Sequence, residues 1–249
     1  MKSNMKSYNV ENYEFLTYDL DEDIKVGFST AKNQLNFNKN LNEGKSNLNN
    51  FKKWFQVDEV VYLNQVHGIK VYPYDGQGFM VNSDGDGIVT KEKNVAIGVF
   101  TADCVPIILV DTKNKIIAAL HSGWKGTLNN IASQGIKVMK EIYGADENYI
   151  KAFIGPHNKS CCYEVSEELI DTFKNCDLFK NQEISFGRNL DLQKCVEIQL
   201  INEGIKNNNI VCLNLCTHCS NDKKLYSYRK KEESQGRLFS FIFIHEQRE

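Results

Sequence analysis

The residues best equipped for chemistry are a few of the five histidines and eight cysteines in the chain. His67 stands in Asn64-Gln65-Val66-His67-Gly68 and His121 in His121-Ser122-Gly123-Trp124-Lys125-Gly126, both turn-like and glycine-flanked, and between them Thr101-Ala102-Asp103-Cys104 ends in a thiol. Neutral imidazole and thiolate are favoured zinc donors, and a catalytic zinc takes three protein ligands and keeps a fourth position open. Two histidines and one cysteine meet that count. Their separations, 37 and 17 residues, match no compact ligand spacing. The residues alone therefore leave a second reading open, in which Cys104 is a packed hydrophobe and the histidines are hydrogen-bonded turn residues.

Other reactive residues carry weaker signals. Cys216-Thr217-His218-Cys219, with Cys212 nearby, has the spacing of half a zinc knuckle, but no second CxxC half is present. These cysteines are expected to be reduced and packed. Cys161 and Cys162 are adjacent, which disfavours a disulfide between them, and a core thiol is expected. His157 follows Gly155-Pro156 and is the best additional histidine, whereas His218 and His245 have no distinguishing context. Asp84-Gly85-Asp86-Gly87 resembles part of a calcium loop without its glutamate, so Asp86 is expected to play a local structural role. Gly123 to Thr127 runs into an expected helix, whose N-terminus and Lys125 could hold an anion; an ordinary glycine turn is the alternative. Trp124 and Tyr163 read either as walls for a flat base or as core.

Positioning these groups requires strands. Val95–Phe100, Val105–Val110 and Ile116–Leu120 are short runs rich in β-branched residues and read as buried strands. With Val60–Leu63 they would bring His67, Cys104 and His121 to strand ends. The segment Asn33 to Asn50 reads as a loop entering a helix marked by Leu48, Phe51 and Phe55. Leu128 to Ile142 repeats at helical spacing and stops at Gly144. Tyr149–Ile154 is an expected strand, Ser166 caps a helix to about Lys174, and Asp191 starts one ending near Gly204. Val211–Leu215, Leu225–Tyr228 and Phe239–Ile244 read as closing strands, with Phe239, Phe241 and Phe243 on one face. The expected class is α+β (mixed α/β), a mixed β-sheet core flanked by helices, in a single domain over 1–249; the three prolines mark no linker.

Composition excludes several partners. With 249 residues, 41% hydrophobic and 25% charged, the chain has the make-up of a globular protein large enough for a core without disulfide staples. A net charge of -2 supplies no basic field for nucleic acid or an anionic membrane. The longest apolar run, Val95 to Val110, is broken by Thr101, Asp103 and Pro106 and is too short to span a bilayer. Met1 to Glu11 lacks the apolar stretch of a secretory signal, so a cytoplasmic location with reduced thiols is expected.

Taken in order, Asn64-Gln65-Val66-His67-Gly68, Asp86-Gly87-Ile88-Val89-Thr90, Thr101-Ala102-Asp103-Cys104-Val105-Pro106, His121 to Gly126, Ile154-Gly155-Pro156, Cys162-Tyr163-Glu164-Val165, Cys216-Thr217 and Ser227-Tyr228-Arg229 resemble the multi-copper polyphenol oxidase (laccase-domain, YfiH-like) family. Despite its name, that family is read as zinc-dependent purine nucleoside phosphorylases. The resemblance implies a zinc site at His67, Cys104 and His121, with copper as the alternative metal. It implies purine nucleosides and phosphate as partners, cleavage of adenosine or inosine and of methylthioadenosine, and an accompanying adenosine deaminase activity. In such a site Asp103 would shuttle a proton or orient a ligand, and Asn64 and Lys125 would contact substrate. Asn158 and Val196 depart from the family pattern away from the triad. Two other enzymes use the same residues: a copper-dependent phenol oxidase, and a hydrolase editing peptidoglycan precursors with Cys104 as nucleophile. A laccase needs more clustered imidazoles than five scattered histidines supply, and Met80 and Met139 are not obvious axial ligands. A non-catalytic binding protein would leave an open ligand set without purpose. The sequence leaves the oligomeric state open.

Overall fold

The computed structural model describes residues 4–77, 82–231 and 235–246, so Met80 lies outside the described residues. The chain opens with three antiparallel strands, β1 (Lys6–Val10), β2 (Tyr13–Leu20) and β3 (Ile24–Ser29). Sequence periodicity did not anticipate them. Helix α1 (Asn42–Phe55) follows, buries Leu48, Phe51, Trp54 and Phe55 at helical spacing, and ends at left-handed Gln56. Short strands β4 (Glu59–Val61), β5 (Val71–Tyr74) and β6 (Gly87–Thr90) lead into the expected apolar runs β7 (Val95–Thr101), β8 (Val105–Asp111) and β9 (Ile116–Ser122).

The expected helix after Gly126 is divided. A single turn, α2 (Trp124–Leu128), starts at Gly123, and left-handed Asn130 then caps α3 (Ile131–Tyr143) by accepting from the Ser133 N–H. Gly144, at φ 76°, ends α3 as anticipated. Beyond it lie β10 (Ile150–Ile154), α4 (Glu167–Lys174) capped by Ser166, the small pair β11 (Ser185–Phe186) and β12 (Asn189–Leu190), and α5 (Leu192–Asn202) capped by Asp191. Strands β13 (Ile210–Cys212) and β14 (Leu238–Ile244) close the chain. Leu225–Tyr228 forms no strand: Leu225 packs against Ala31 and Leu238, and the segment runs on as an irregular loop.

Two six-stranded sheets result, in the orders β1-β2-β3-β14-β7-β4 and β13-β10-β8-β9-β6-β5. Both are mixed, since β4 runs parallel to β7, β5 to β6 and β13 to β10 while the remaining pairs are antiparallel. Alternation assigns the faces. Along β8, Ile108 and Val110 enter the layer shared with the other sheet, where they join Val26, Ile97, Val99 and Ile242. Val105, Ile107 and Leu109 point the other way, into a core with Ile136 and Met139 of α3 and Val196 and Leu200 of α5. On β14, Phe239, Phe241 and Phe243 share the outer face, as expected, and meet Phe51 and Phe55 of α1. The mixed β core flanked by helices is thus the observed architecture, with the strands divided between two packed layers. No helix among the described residues is long and apolar enough to cross a membrane.

Candidate metal centre and its cavity

Cys104 sits in the tight link from β7 of one sheet to β8 of the other, where Asp103 takes φ 93°. His121 lies within β9, paired with Pro106, one residue inside the strand end at which it was expected. His67 belongs to the loop between β4 and β5, in a left-handed conformation at φ 59°. That loop is tied to the first sheet by Gln65, whose side-chain amide donates to the Phe100 carbonyl at 2.8 Å while its oxygen accepts the Phe100 N–H at 2.7 Å. Gly123 passes close against two of the donors. A Cβ there would stand 2.8 Å from the His67 ring and 3.2 Å from the Cys104 sulfur, so only glycine lets the chain pass so close.

These folds bring the three donors together. The ligating atoms of His67, Cys104 and His121 all lie within 4.8 Å of one another. Cys104 Sγ is 3.8 Å from His67 Nε2; two such donors on one tetrahedral zinc would be about 3.6 Å apart at ordinary bond lengths. Asp86 fixes the second imidazole. Its Oδ1 accepts from His121 Nδ1 at 2.8 Å, which leaves Nε2 as the free donor. The same buried carboxylate accepts the main-chain N–H groups of Val66, His67 and Gly68 at 3.3, 3.0 and 2.7 Å. Asp86 thus positions two of the three ligands at once.

Charge prepares the thiol for a metal, which must displace a proton from His121 Nε2 on binding. Burial raises the Cys104 pKa, but the charge of His121 and hydrogen bonds from both imidazoles outweigh it and bring the thiol down to about 6. Burial disfavours the charged form of His121, yet the Cys104 and Asp86 charges lift it to about 9. The thiol is accordingly primed as thiolate at neutral pH, the form that binds a metal. The donor set and its spacing fit zinc.

A cavity of about 570 Å³ opens over the triad, within the size range of small-molecule sites. Asn64, His67, Asp103, Cys104 and His121 line it, together with Tyr163. Tyr163, left between wall and core by the sequence, is both: it is 8% exposed and lines the cavity. Trp124 is 37% exposed and is not among the lining residues. Lys125, expected to face substrate, does not line the cavity either; its ammonium lies 5.5 Å from the Trp124 ring centre. The cations in the lining are Lys39, Arg229 and Arg237. Arg229 stacks 4.4 Å from the Tyr163 ring centre, and Arg237 lies 5.8 Å from that of Tyr228. The Ser-Tyr-Arg motif at 227–229 marked Arg229; nothing in the sequence marked Lys39.

The two acidic residues exchange their expected roles. The Asp103 carboxylate accepts from Thr217 Oγ1 at 2.7 Å and from the Arg229 N–H at 2.9 Å, whereas it is Asp86 that holds an imidazole of the triad. Asp103 ties the Cys104 turn to the loop carrying Arg229. Asn64 donates to Asp84 at 2.6 Å and accepts from Lys39 Nζ at 3.3 Å. His157 is buried away from the cavity lining, with Nδ1 on the Gly155 carbonyl at 2.8 Å. Met139 is in the core. No calcium-type loop forms, since Asp86 is spent on His121 and main-chain N–H groups.

Known proteins share this sequence and shape. The profile of the family described as multi-copper polyphenol oxidoreductase laccase matches residues 25–245. A purine nucleoside phosphorylase of Clostridium acetobutylicum is 43% identical over 238 residues, covering 96% of this chain and 99% of the relative. A protein named adenosine deaminase RL5, from an unknown prokaryotic organism, is 30% identical over 200 residues, covering 75% and 76% of the two chains. The crystal structure of YfiH from Bacillus licheniformis superposes with a TM-score of 0.83 at 23% identity, covering 95% of this chain and 98% of that one, which shows a common fold.

Proposed function

We propose that this chain, which belongs to the multi-copper polyphenol oxidoreductase laccase family, is a zinc-dependent purine nucleoside phosphorylase. The observation that carries the proposal is an open His67-Cys104-His121 donor set at the base of a cavity whose wall holds Lys39, Arg229 and Arg237. When bound there, zinc supplies Lewis-acid polarisation of the reacting groups.

In the reaction, a phosphate oxygen bonds to the ribose C1′ as the C1′–N9 bond breaks. The bond electrons stay with the purine, which takes up the proton that the attacking hydrogenphosphate gives up, and the ribose 1-phosphate dianion remains. Lys39, Arg229 and Arg237 hold the phosphate dianion, and this replaces the assignment of that role to Lys125. Tyr163 and Tyr228 wall the flat base. Asn64 addresses substrate hydroxyls, while Asp103 acts from behind by holding Arg229 in place. The substrates are adenosine and inosine, with methylthioadenosine admitted by the same cavity. Deamination of adenosine accompanies phosphorolysis, a reading supported by the relative named for it. A thiolate-bearing site of this kind suits the reducing cytoplasm. A laccase mechanism is disfavoured by the donors, because among the described residues the groupings of possible ligands hold only the two imidazoles His67 and His121.

The test is to incubate zinc-loaded protein with adenosine, inosine and methylthioadenosine, with and without phosphate, and to identify the products. Ribose 1-phosphate formed only with phosphate is expected. Arg229→Ala should raise the phosphate concentration for half-maximal rate by about tenfold or more, the loss of one charged hydrogen bond, and Lys125→Ala should leave it unchanged. Equal turnover without phosphate, yielding free ribose, would make the enzyme a hydrolase.

A further inference from the structure

A second group of donors lies outside the cavity. The sulfurs of Cys161, Cys162, Cys216 and Cys219 all fall within 4.8 Å of one another. Cys161 Sγ and Cys219 Sγ are 3.5 Å apart, against about 3.8 Å between two thiolates on one tetrahedral zinc. The half-knuckle at Cys216 and Cys219 does have its second half. It is the adjacent pair Cys161-Cys162, remote in sequence and brought near by the parallel bridge between His157 and Cys216. Cys212 takes no part, since its thiol donates to Glu197 at 3.2 Å.

Packing does not explain the cluster. A cysteine serving as a small hydrophobe is buried, whereas Cys161 and Cys219 are exposed and Cys162 only half-buried. That corrects the expectation of packed thiols at Cys161, Cys162 and Cys219, while Cys216 is buried as expected. Each half is preformed by main-chain turns: the Cys162 and Tyr163 N–H groups donate to the Lys159 carbonyl, and the Ser220 N–H donates to the Cys216 carbonyl. Convergence of four thiols from two such turns is the donor arrangement of a closed structural site, and a tetrahedral four-sulfur set suits zinc or iron, of which zinc needs no redox partner.

We propose that Cys161, Cys162, Cys216 and Cys219 bind a structural zinc ion, separate from the ion of the cavity. On binding, each thiol still protonated releases its proton to solvent, and no redox step is involved. The ion would staple the turn before Tyr163 to the segment in which Thr217 bonds Asp103, and so brace the cavity wall from outside. The proposal does not depend on the nucleoside reaction.

Metal analysis of protein purified under reducing conditions should find about two zinc ions per chain. Cys216→Ser/Cys219→Ser should hold about one, and so should His67→Ala/Cys104→Ala. The second variant, loaded with Co²⁺, should show the charge-transfer bands of an all-thiolate tetrahedral site. Should the cysteine variant fail to fold, alkylation of the native wild type decides the matter. Cys161, Cys162 and Cys219, which are not buried, should resist the reagent until a chelator is added. A single zinc that the His67→Ala/Cys104→Ala variant loses entirely would overturn the proposal. So would a Cys161–Cys219 disulfide, seen as a mass lower by two hydrogens.

Discussion

Asp86 accepts from His121 and from three consecutive main-chain N–H groups of the His67 loop, so one carboxylate sets both the tautomer of one ligand and the placement of another. Asp86→Asn removes the charge and turns one acceptor oxygen into a donor facing N–H groups. Zinc affinity at the triad should fall by about 10–100-fold, the usual effect of losing a ligand's supporting carboxylate, as read by competition with a chromophoric chelator in a Cys216→Ser/Cys219→Ser background. An affinity unchanged within twofold would remove Asp86 from the site. At this scale the sequence displays donors well and supporters poorly. His67, Cys104 and His121 are visible as possible donors, although their spacing left packed and turn roles open and the ordered family motifs singled them out. Asp86 and Asp103 look alike until the backbone shows which carboxylate meets an imidazole and which meets Thr217 and Arg229. Gln65 gave no sign of itself, since its hydrogen bonds go to the main chain of Phe100, 35 residues away.

Strand β14 is the element on which the first sheet depends, for it lies between β3 and β7 and is buried on both faces. On its outer face Phe241 meets the rings of Phe15, Phe51 and Phe55 at centroid distances of 6.0, 4.7 and 4.8 Å. Phe241→Ala should destabilise the protein by about 3–5 kcal/mol, measured as a shift of the urea midpoint with the slope unchanged. A loss below about 1 kcal/mol would mean that the aromatic layer repacks freely. Elements of this kind were legible because unbroken β-branched and aromatic runs admit few other readings. Strands β1 to β3 were not, because charges such as Lys6, Asp19 and Lys25 interrupt the apolar pattern and pair with one another across the strands. Leu225–Tyr228 misled for the opposite reason, since an apolar stretch can fill a loop-covered satellite core without joining any ladder. The Cys161-Cys162 pair looked inert because its partners lie more than fifty residues away.

Across the whole molecule, the cavity ligands belong to both sheets. Gln65 anchors the His67 loop to β7 of the first, His121 lies in β9 of the second, and Cys104 occupies the crossing between them. An ion held by all three cross-links the two layers and disappears as a site when they separate. If native protein alone binds it, free zinc at a thousand times its dissociation constant would add about 4 kcal/mol to stability. Removing metal with a chelator should then lower the melting temperature by on the order of 10 °C for a chain of this size, and His67→Ala should lose most of the triad's share of that drop. Coincident melts with and without chelator would show that no ion bridges the sheets. With zinc bound there, the Cys104 crossing would make the protein's persistence in the cell a function of metal supply. Under zinc starvation the chain would open more often, meet proteases sooner and fall in abundance, so that the catalyst would be withdrawn by turnover in step with the loss of its activity.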